Sequence, residues 1–318
     1  MGSEMCIRDS NKGVEFSLNA QIIDSSSWKW SVSGNIGVNR NEISDLGLLP
    51  ADFGCLGERV GYYGNSLGDH FGVGHIFLAG EAPGLFYGYV TQGIVQKEDI
   101  TENGIKYIKQ DGSVGYYQTV NKTTPVAGDV KYVDRNGDGV VDDNDRDIIG
   151  NPNPDFTYGF QTKVSWKSLS LSASFNGVQG RDILNVGNRY NNTPGTKSNN
   201  VTRKAFQNMW TDENPSNLYP KSTFVVQNMV MDRYVEDGSY LRCSDITLSY
   251  VLPAKWTNKI GIKNTSVYAS VKNAFVITDY SGYDPEVNSF AFDGLRPGVD
   301  MNSYPTPRSF VFGLNLTF

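Results

Sequence analysis

The chain ends on a run of strict alternation. In the stretch Arg308 to Phe318, the residues Phe310, Phe312, Leu314, Leu316 and Phe318 fall on one face of an extended strand. Ser309, Gly313, Asn315 and Thr317 fall on the other, with Val311 the one breach. A period of two is the strand period, and its two faces meet different surroundings. The same alternation recurs upstream. Phe16, Leu18, Ala20 and Ile22 oppose Glu15, Ser17, Asn19 and Gln21. Trp28, Trp30, Val32, Ile36 and Val38 oppose Lys29, Ser31, Ser33, Asn35 and Asn39. Further alternating runs cover Phe156–Trp166, Leu169–Asn176, Tyr240–Val251 and Thr265–Ile277. Residues 40–129 are glycine-rich and weakly periodic, and Phe86 to Gln96 is the best strand candidate there.

These runs are longer than most strands of globular sheets and match a tilted bilayer crossing. Their connections are sorted by length. Turns at 24–27, 167–168 and about 253–264 are short; segments at about 40–85, 97–155, 178–235 and 278–307 are long. Outer-membrane barrels sort their loops this way, with short periplasmic turns, long extracellular loops, an apolar lipid face and a polar lumen face. The expected fold is therefore all-β, an antiparallel transmembrane β-barrel segment of some eight to ten strands, with the long segments outside the cell. A soluble sandwich has no reason for such sorting.

Composition agrees with this picture. Among the 318 residues, 34 Gly, 18 Tyr and 16 Phe suit an aromatic-rich β protein. A net charge of −6 and the absence of basic runs argue against a nucleic-acid partner. No apolar window reaches the length of a transmembrane helix, which leaves strands free to cross. Three scattered cysteines, Cys6, Cys55 and Cys243, form no metal-ligand pattern. Residues 1–10 fit no targeting class and read as an artefactual leader, so the fold is expected to begin in mid-pattern at Asn11.

Candidate chemistry is sparse. Asp134, Asn136, Asp138, the Val140 carbonyl, Asp142 and Asp145 stand at positions 1, 3, 5, 7, 9 and 12 of a calcium loop, with Gly139 at the turn position 6. Hard oxygens at that spacing converge on one point and suit a structural Ca²⁺. The rival reading is a solvated acidic turn. Gly64-Asn65-Ser66-Leu67-Gly68 matches a hydrolase elbow pattern but lacks its strand–helix setting, so no enzyme activity is expected. Loop aromatics, chiefly Trp210, Tyr219 and Tyr283, are candidates for stacking on sugar or peptide ligands, or for packing loops together.

Several segments taken in order resemble the SusC/RagA-like TonB-dependent outer-membrane transporters of Bacteroidota. They are Phe86-Tyr87-Gly88-Tyr89 with Gly93-Ile94, Pro125–Asp129 leading into the Asn-Gly-Asp-Gly loop, and Ile149–Phe156. Gly177-Val178-Gln179-Gly180, Glu236–Arg242 and Tyr283–Glu286 complete the set. Their spacing fits the family's C-terminal part across residues 11–318. The resemblance implies a large plugged barrel in the outer membrane and import of oligosaccharides or peptides. It also implies a SusD-like surface lipoprotein as lid, and energy from TonB–ExbB–ExbD through an N-terminal plug that this chain lacks. Phe310, Phe312, Leu314, Leu316 and Phe318 would serve as the outer-membrane assembly signal. Cys243, where relatives carry a larger residue, is expected on the lumen face. Two other functions fit part of the pattern: a passive porin, and a soluble calcium-binding, carbohydrate-binding β protein.

Overall fold

The computed structural model describes residues 8–68, 72–193, 200–222, 229–257, 262 and 264–317. Cys6, His70 and Phe318 lie outside them. Seven strands form one sheet: β1 (Arg8–Asp24), β2 (Trp28–Asp45), β3 (Phe156–Trp166), β4 (Leu169–Gln179), β5 (Tyr240–Val251), β6 (Asn264–Thr278) and β7 (Ser309–Thr317). Each lies antiparallel beside its neighbour in sequence, so the sheet is a plain up-and-down meander. Seven staves replace the expected eight to ten. β1 begins at Arg8, whose partner is Asp45, so the sheet has no boundary at Asn11.

The register explains the alternation. One row across the sheet reads Trp30, Val164, Leu171, Leu248, Ala269, Phe312, and the next Val32, Thr162, Ala173, Ile246, Val271, Phe310. These side chains share one face and none is buried; Trp30, Leu171, Leu248, Phe310 and Phe312 are exposed and the rest half-buried. The intervening row on the opposite face reads Ser31, Lys163, Ser172, Thr247, Ser270, Val311. A sheet whose apolar face looks outward and whose polar face looks inward is stable only with lipid on the first side. No described helix is long and apolar enough to cross a membrane.

One irregularity changes a sequence expectation. Alternation from Ile246 backwards puts Cys243 on the polar face. In the structure Ser244 is an extra, bulged residue between the pairs Phe175–Cys243 and Ser174–Asp245. A bulge shifts every later side chain by one face. Cys243 therefore stands in register between Phe175 and Phe275, whose rings lie 6.3 Å apart, and it is fully covered. The same shift turns Tyr240 and Arg242 inward.

The three short connections leave the sheet at one end. The described residues of 46–155, 180–239 and 279–308 lie at the other. The segments expected at 40–85 and 97–155 are one connection, because β2 pairs directly with β3. Phe86–Gln96 is accordingly no stave. It forms two short loop strands, Leu85–Tyr89 and Thr91–Ile94. Every residue of Leu85–Tyr89 is buried, and a strand covered on both faces shows no alternation. The main apolar core sits here, in the loops. Phe86, Tyr89, Ile105, Tyr107, Tyr117, Tyr132 and Val141 cluster with Leu184, Val230 and Val299 from the two later loops.

Candidate functional site: the lumen wall and its loop cap

The polar face is built from small neutral side chains. Its rows include Ser17, Asn35, Gly159 and Asn176, then Asn19, Ser33, Gln161 and Ser174. The charges on it are mostly matched. Asp245 accepts hydrogen bonds from Lys272 at 2.7 Å and from Ser270 at 2.7 Å. Such a surface holds water and polar solutes without attracting one sign of ion.

The wall is stapled to its cap at the outer rim. Arg242 is buried and pairs with Asp284 and, through Nε at 3.2 Å, with Glu286. Tyr240 donates to Glu286 Oε1 at 2.7 Å, and Asn176 to the same oxygen at 2.9 Å. Thr306 donates to the other oxygen of Asp284. Two of the segments that carried the family resemblance, Glu236–Arg242 and Tyr283–Glu286, thus meet in one network. A third meets a fourth nearby: Gly180 has φ +72°, and a Cβ there would lie 2.2 Å from the Asp155 carboxylate. Only glycine serves that close approach. The sequence showed the segments; their separation of tens of residues hid the contacts.

On the outer face, the girdle at the short-turn end is aromatic. Trp28 and Trp166 stack with centroids 5.9 Å apart, and Lys167 lies over Trp166. Phe310, Phe312, Leu314 and Leu316 of β7 are all exposed on this face.

The loop aromatics divide. Tyr283 is 73% exposed and free to meet a ligand. Trp210 is 8% exposed: its indole N–H donates to Gln96 at 3.0 Å, and its ring lies against Gly128. Tyr219 is half-buried beside it, its carbonyl accepting from the Trp210 backbone N–H. Trp210 thus packs loop against loop and Tyr219 pairs beside it, the second of the two readings open to these aromatics.

The acidic loop folds as one closed turn. Asp134 accepts from the N–H groups of Gly137 at 2.5 Å and Gly139 at 2.8 Å. Gly139 takes φ +87°, as position 6 requires. Asp145 reaches back to accept from Arg135 at 2.7 Å and Asn136 at 3.2 Å, joining position 12 to positions 2 and 3. Asn136 and Asp138 each accept from the N–H two residues on, while Val140 and Asp142 pass into a short strand and a 3₁₀ turn. Asp134 and Asp145 are both buried, and neither has an ion-pair partner among the described residues. Burial pushes the Asp145 carboxyl up to about 6, against the pull of its three backbone donors. Among the described residues, no three His, Cys, Asp or Glu side chains form a ready metal cluster. The loop's remaining oxygens come from Asn136 and the Val140 carbonyl.

Ser66 and His75 do meet, at 3.0 Å through Nδ1, while Nε2 faces the Pro297 carbonyl at 3.1 Å. Nε2 must then carry the proton, so the ring is a neutral clasp between two loops. Burial lowers its pKa to about 4. Its folded value lies below the unfolded one, so its contribution is complete above about pH 6.5 and lost as pH falls towards 4. Thermal unfolding across that window should show wild type losing about 3 kcal/mol more than His75→Gln; equal slopes would contradict the clasp.

The comparisons match this architecture. No protein-family model matches the chain. TonB-dependent receptor P26 of Formosa agariphila is 30% identical over 97% of this chain, and the chain covers 29% of that protein. The TonB-dependent receptor SusC of Bacteroides thetaiotaomicron is 31% identical, again over 97% of the chain and 26% of the relative. Among solved structures, the RagAB peptide transporter superposes with a TM-score of 0.67 at 25% identity, covering 98% of this chain and 29% of the solved one. The chain thus spans less than a third of the length of its relatives. These relatives are named as TonB-dependent receptors and a peptide transporter, in line with the expectation that the chain is no enzyme. With the two-faced meander, the capped lumen wall and these likenesses together, the chain is a β-barrel segment of the SusC/RagA-like TonB-dependent receptor kind.

Proposed function

We propose that this chain forms part of the wall and the outer cap of a bacterial outer-membrane importer for oligosaccharides or peptides. The observation that carries the reading is the inverted sheet, apolar outside and polar inside, continuous across seven strands. β1 and β7 have open edges, and an unpaired edge in lipid costs about several kcal/mol for each unsatisfied backbone group. Other strands of the same barrel close them. Energy enters from TonB–ExbB–ExbD through a plug outside this chain, and a SusD-like lipoprotein covers the loop cap. A passive porin would share the wall but not the coupling. A soluble calcium-binding carbohydrate-binding protein would not leave this face bare. The test is uptake by cells expressing the full-length protein: import that stops when TonB is deleted supports the reading, and TonB-independent flux overturns it.

The acidic loop is proposed to hold a structural Ca²⁺ through Asp134, Asn136, Asp138, Val140, Asp142 and Asp145. A divalent cation supplies the positive charge that the buried Asp134–Asp145 pair lacks. The loop then fixes its neighbours, since Tyr107 donates to the Asp134 carbonyl at 2.7 Å and Gln118 to that of Gly139 at 2.8 Å. Titration calorimetry on the full-length protein should show Ca²⁺ heat that Asp138→Ala abolishes. No heat would make the segment an acidic turn.

A further inference from the structure

We infer that the girdle at the short-turn end is a binding site for the headgroup of an anionic phospholipid, with Lys167 as its cation. The inference rests on the reading of the outer face as lipid-facing and names the lipid that this end selects.

The last apolar row before the turns reads Trp28, Trp166, Leu169, Tyr250, Val267, Leu314. Its indoles differ from the one beside them. Trp30 stands one row further in, and its N–H donates to Thr162 Oγ1 at 3.0 Å. An indole N–H in hydrocarbon needs such a partner from the protein itself. The Trp28 and Trp166 N–H groups have no acceptor among the described residues, and both side chains are exposed. Their acceptors come from outside the chain. At headgroup level these are lipid ester and phosphate oxygens, or water.

The charge decides for the phosphate. Lys167 occupies the turn between β3 and β4 with φ +51°, a conformation where glycine, asparagine or aspartate is usual. The turn itself does not call for a lysine. Its Nζ lies 5.4 Å from the centroid of the Trp166 ring, which stacks in turn on Trp28. The ring holds the ammonium by its π-face and leaves its other side to the headgroup. Lys167 has no acidic partner among the described residues, whereas Lys29 on β2 is held by Asp24 at 3.4 Å. The Lys167 backbone N–H donates to the Ser27 carbonyl at 2.8 Å, so the two turns and the two rings form one patch.

The same pairing recurs in the third short connection. Lys255 adjoins the exposed Trp256 there, again without an acidic partner among the described residues. An ammonium beside two indole donors matches one phosphate and its neighbouring ester oxygens. A zwitterionic headgroup brings its own ammonium to that phosphate. An anionic headgroup leaves the phosphate charge to Lys167.

The test uses the full-length protein in phosphatidylcholine vesicles. The probe is phosphatidylglycerol brominated in its acyl chains, and the reference is brominated phosphatidylcholine. The readout is the part of the tryptophan emission that Trp28→Phe/Trp166→Phe removes. Brominated phosphatidylglycerol should half-quench it at about one-fifth of the mole fraction that brominated phosphatidylcholine needs, the preference expected for one lysine at an anionic surface. Lys167→Asn, which suits the turn and removes the charge, should abolish the preference. Heat-modifiable gel mobility shows that each barrel is folded. Equal quenching by the two lipids in wild type overturns the site and leaves the lipid-facing wall standing. A preference that survives Lys167→Asn does the same. No quenching by either lipid overturns the lipid face, and the site with it.

Discussion

Arg242→Ala should cost about 3–5 kcal/mol and loosen the loop cap from the wall. The guanidinium and the Asp284 carboxylate are both almost fully buried, with side-chain exposures of 6% and 8%. Removing the cation leaves Asp284 with the Thr306 hydroxyl and the Glu286 backbone N–H as its donors. Glu286 retains Tyr240 and Asn176, so the damage centres on residue 284. The effect is a penalty for an uncompensated buried charge, and Asp284→Asn/Arg242→Met should recover much of it. Denaturant unfolding of the full-length barrel reads the loss. Limited proteolysis reads where it falls, with new cleavage expected in residues 279–308. A loss under about 1 kcal/mol would mean that the network is a solvated surface pair.

Ala173→Arg should cost about 2–4 kcal/mol in a bilayer, because it puts a charge on the lipid face two rows in from the aromatic girdle. A charge one residue back should be tolerated: Ser172→Glu faces Lys163 across the β3–β4 register on the polar side. The contrast between adjacent positions carries the prediction, since both lie on one strand and neither sits in a packed protein core. Unfolding in lipid vesicles measures both. Similar costs for the two would contradict the assignment of faces.

The wall was legible in the sequence because period two survives where each face meets one solvent. Six alternating runs mark β1–β6 and the terminal run marks β7, although β1 and β2 extend well beyond the alternation at their rim ends. Legibility failed where that condition failed. Leu85–Tyr89 is covered on both faces, so it shows strand propensity without the alternation that tells a stave from a loop strand. At Ser244 one extra residue reverses the phase, and no glycine or proline in Arg242-Cys243-Ser244-Asp245 announces the bulge. Trp210 reads equally as a binding or a packing aromatic because it lies in a polar stretch. Its partner Gln96 comes from a different loop, and no periodicity links the two. The acidic loop was legible through its fixed spacing, and so were the rim segments. The pairing of Arg242 with Asp284 was not, because it depends on β5 and the loop after β6 meeting at one rim.

One face of the meander meets lipid and the other water, and spin labels placed one at a time along β4 and β5 of the full-length protein in bilayers report which residues meet each. Accessibility to oxygen, which partitions into lipid, should peak at 169, 171, 173 and 175 on β4 and at 246, 248 and 250 on β5. Accessibility to a water-soluble nickel chelate should peak at the residues between, and the order should reverse across Ser244. Water access on both faces would contradict a membrane wall, and an unbroken alternation through Ser244 would contradict the bulge.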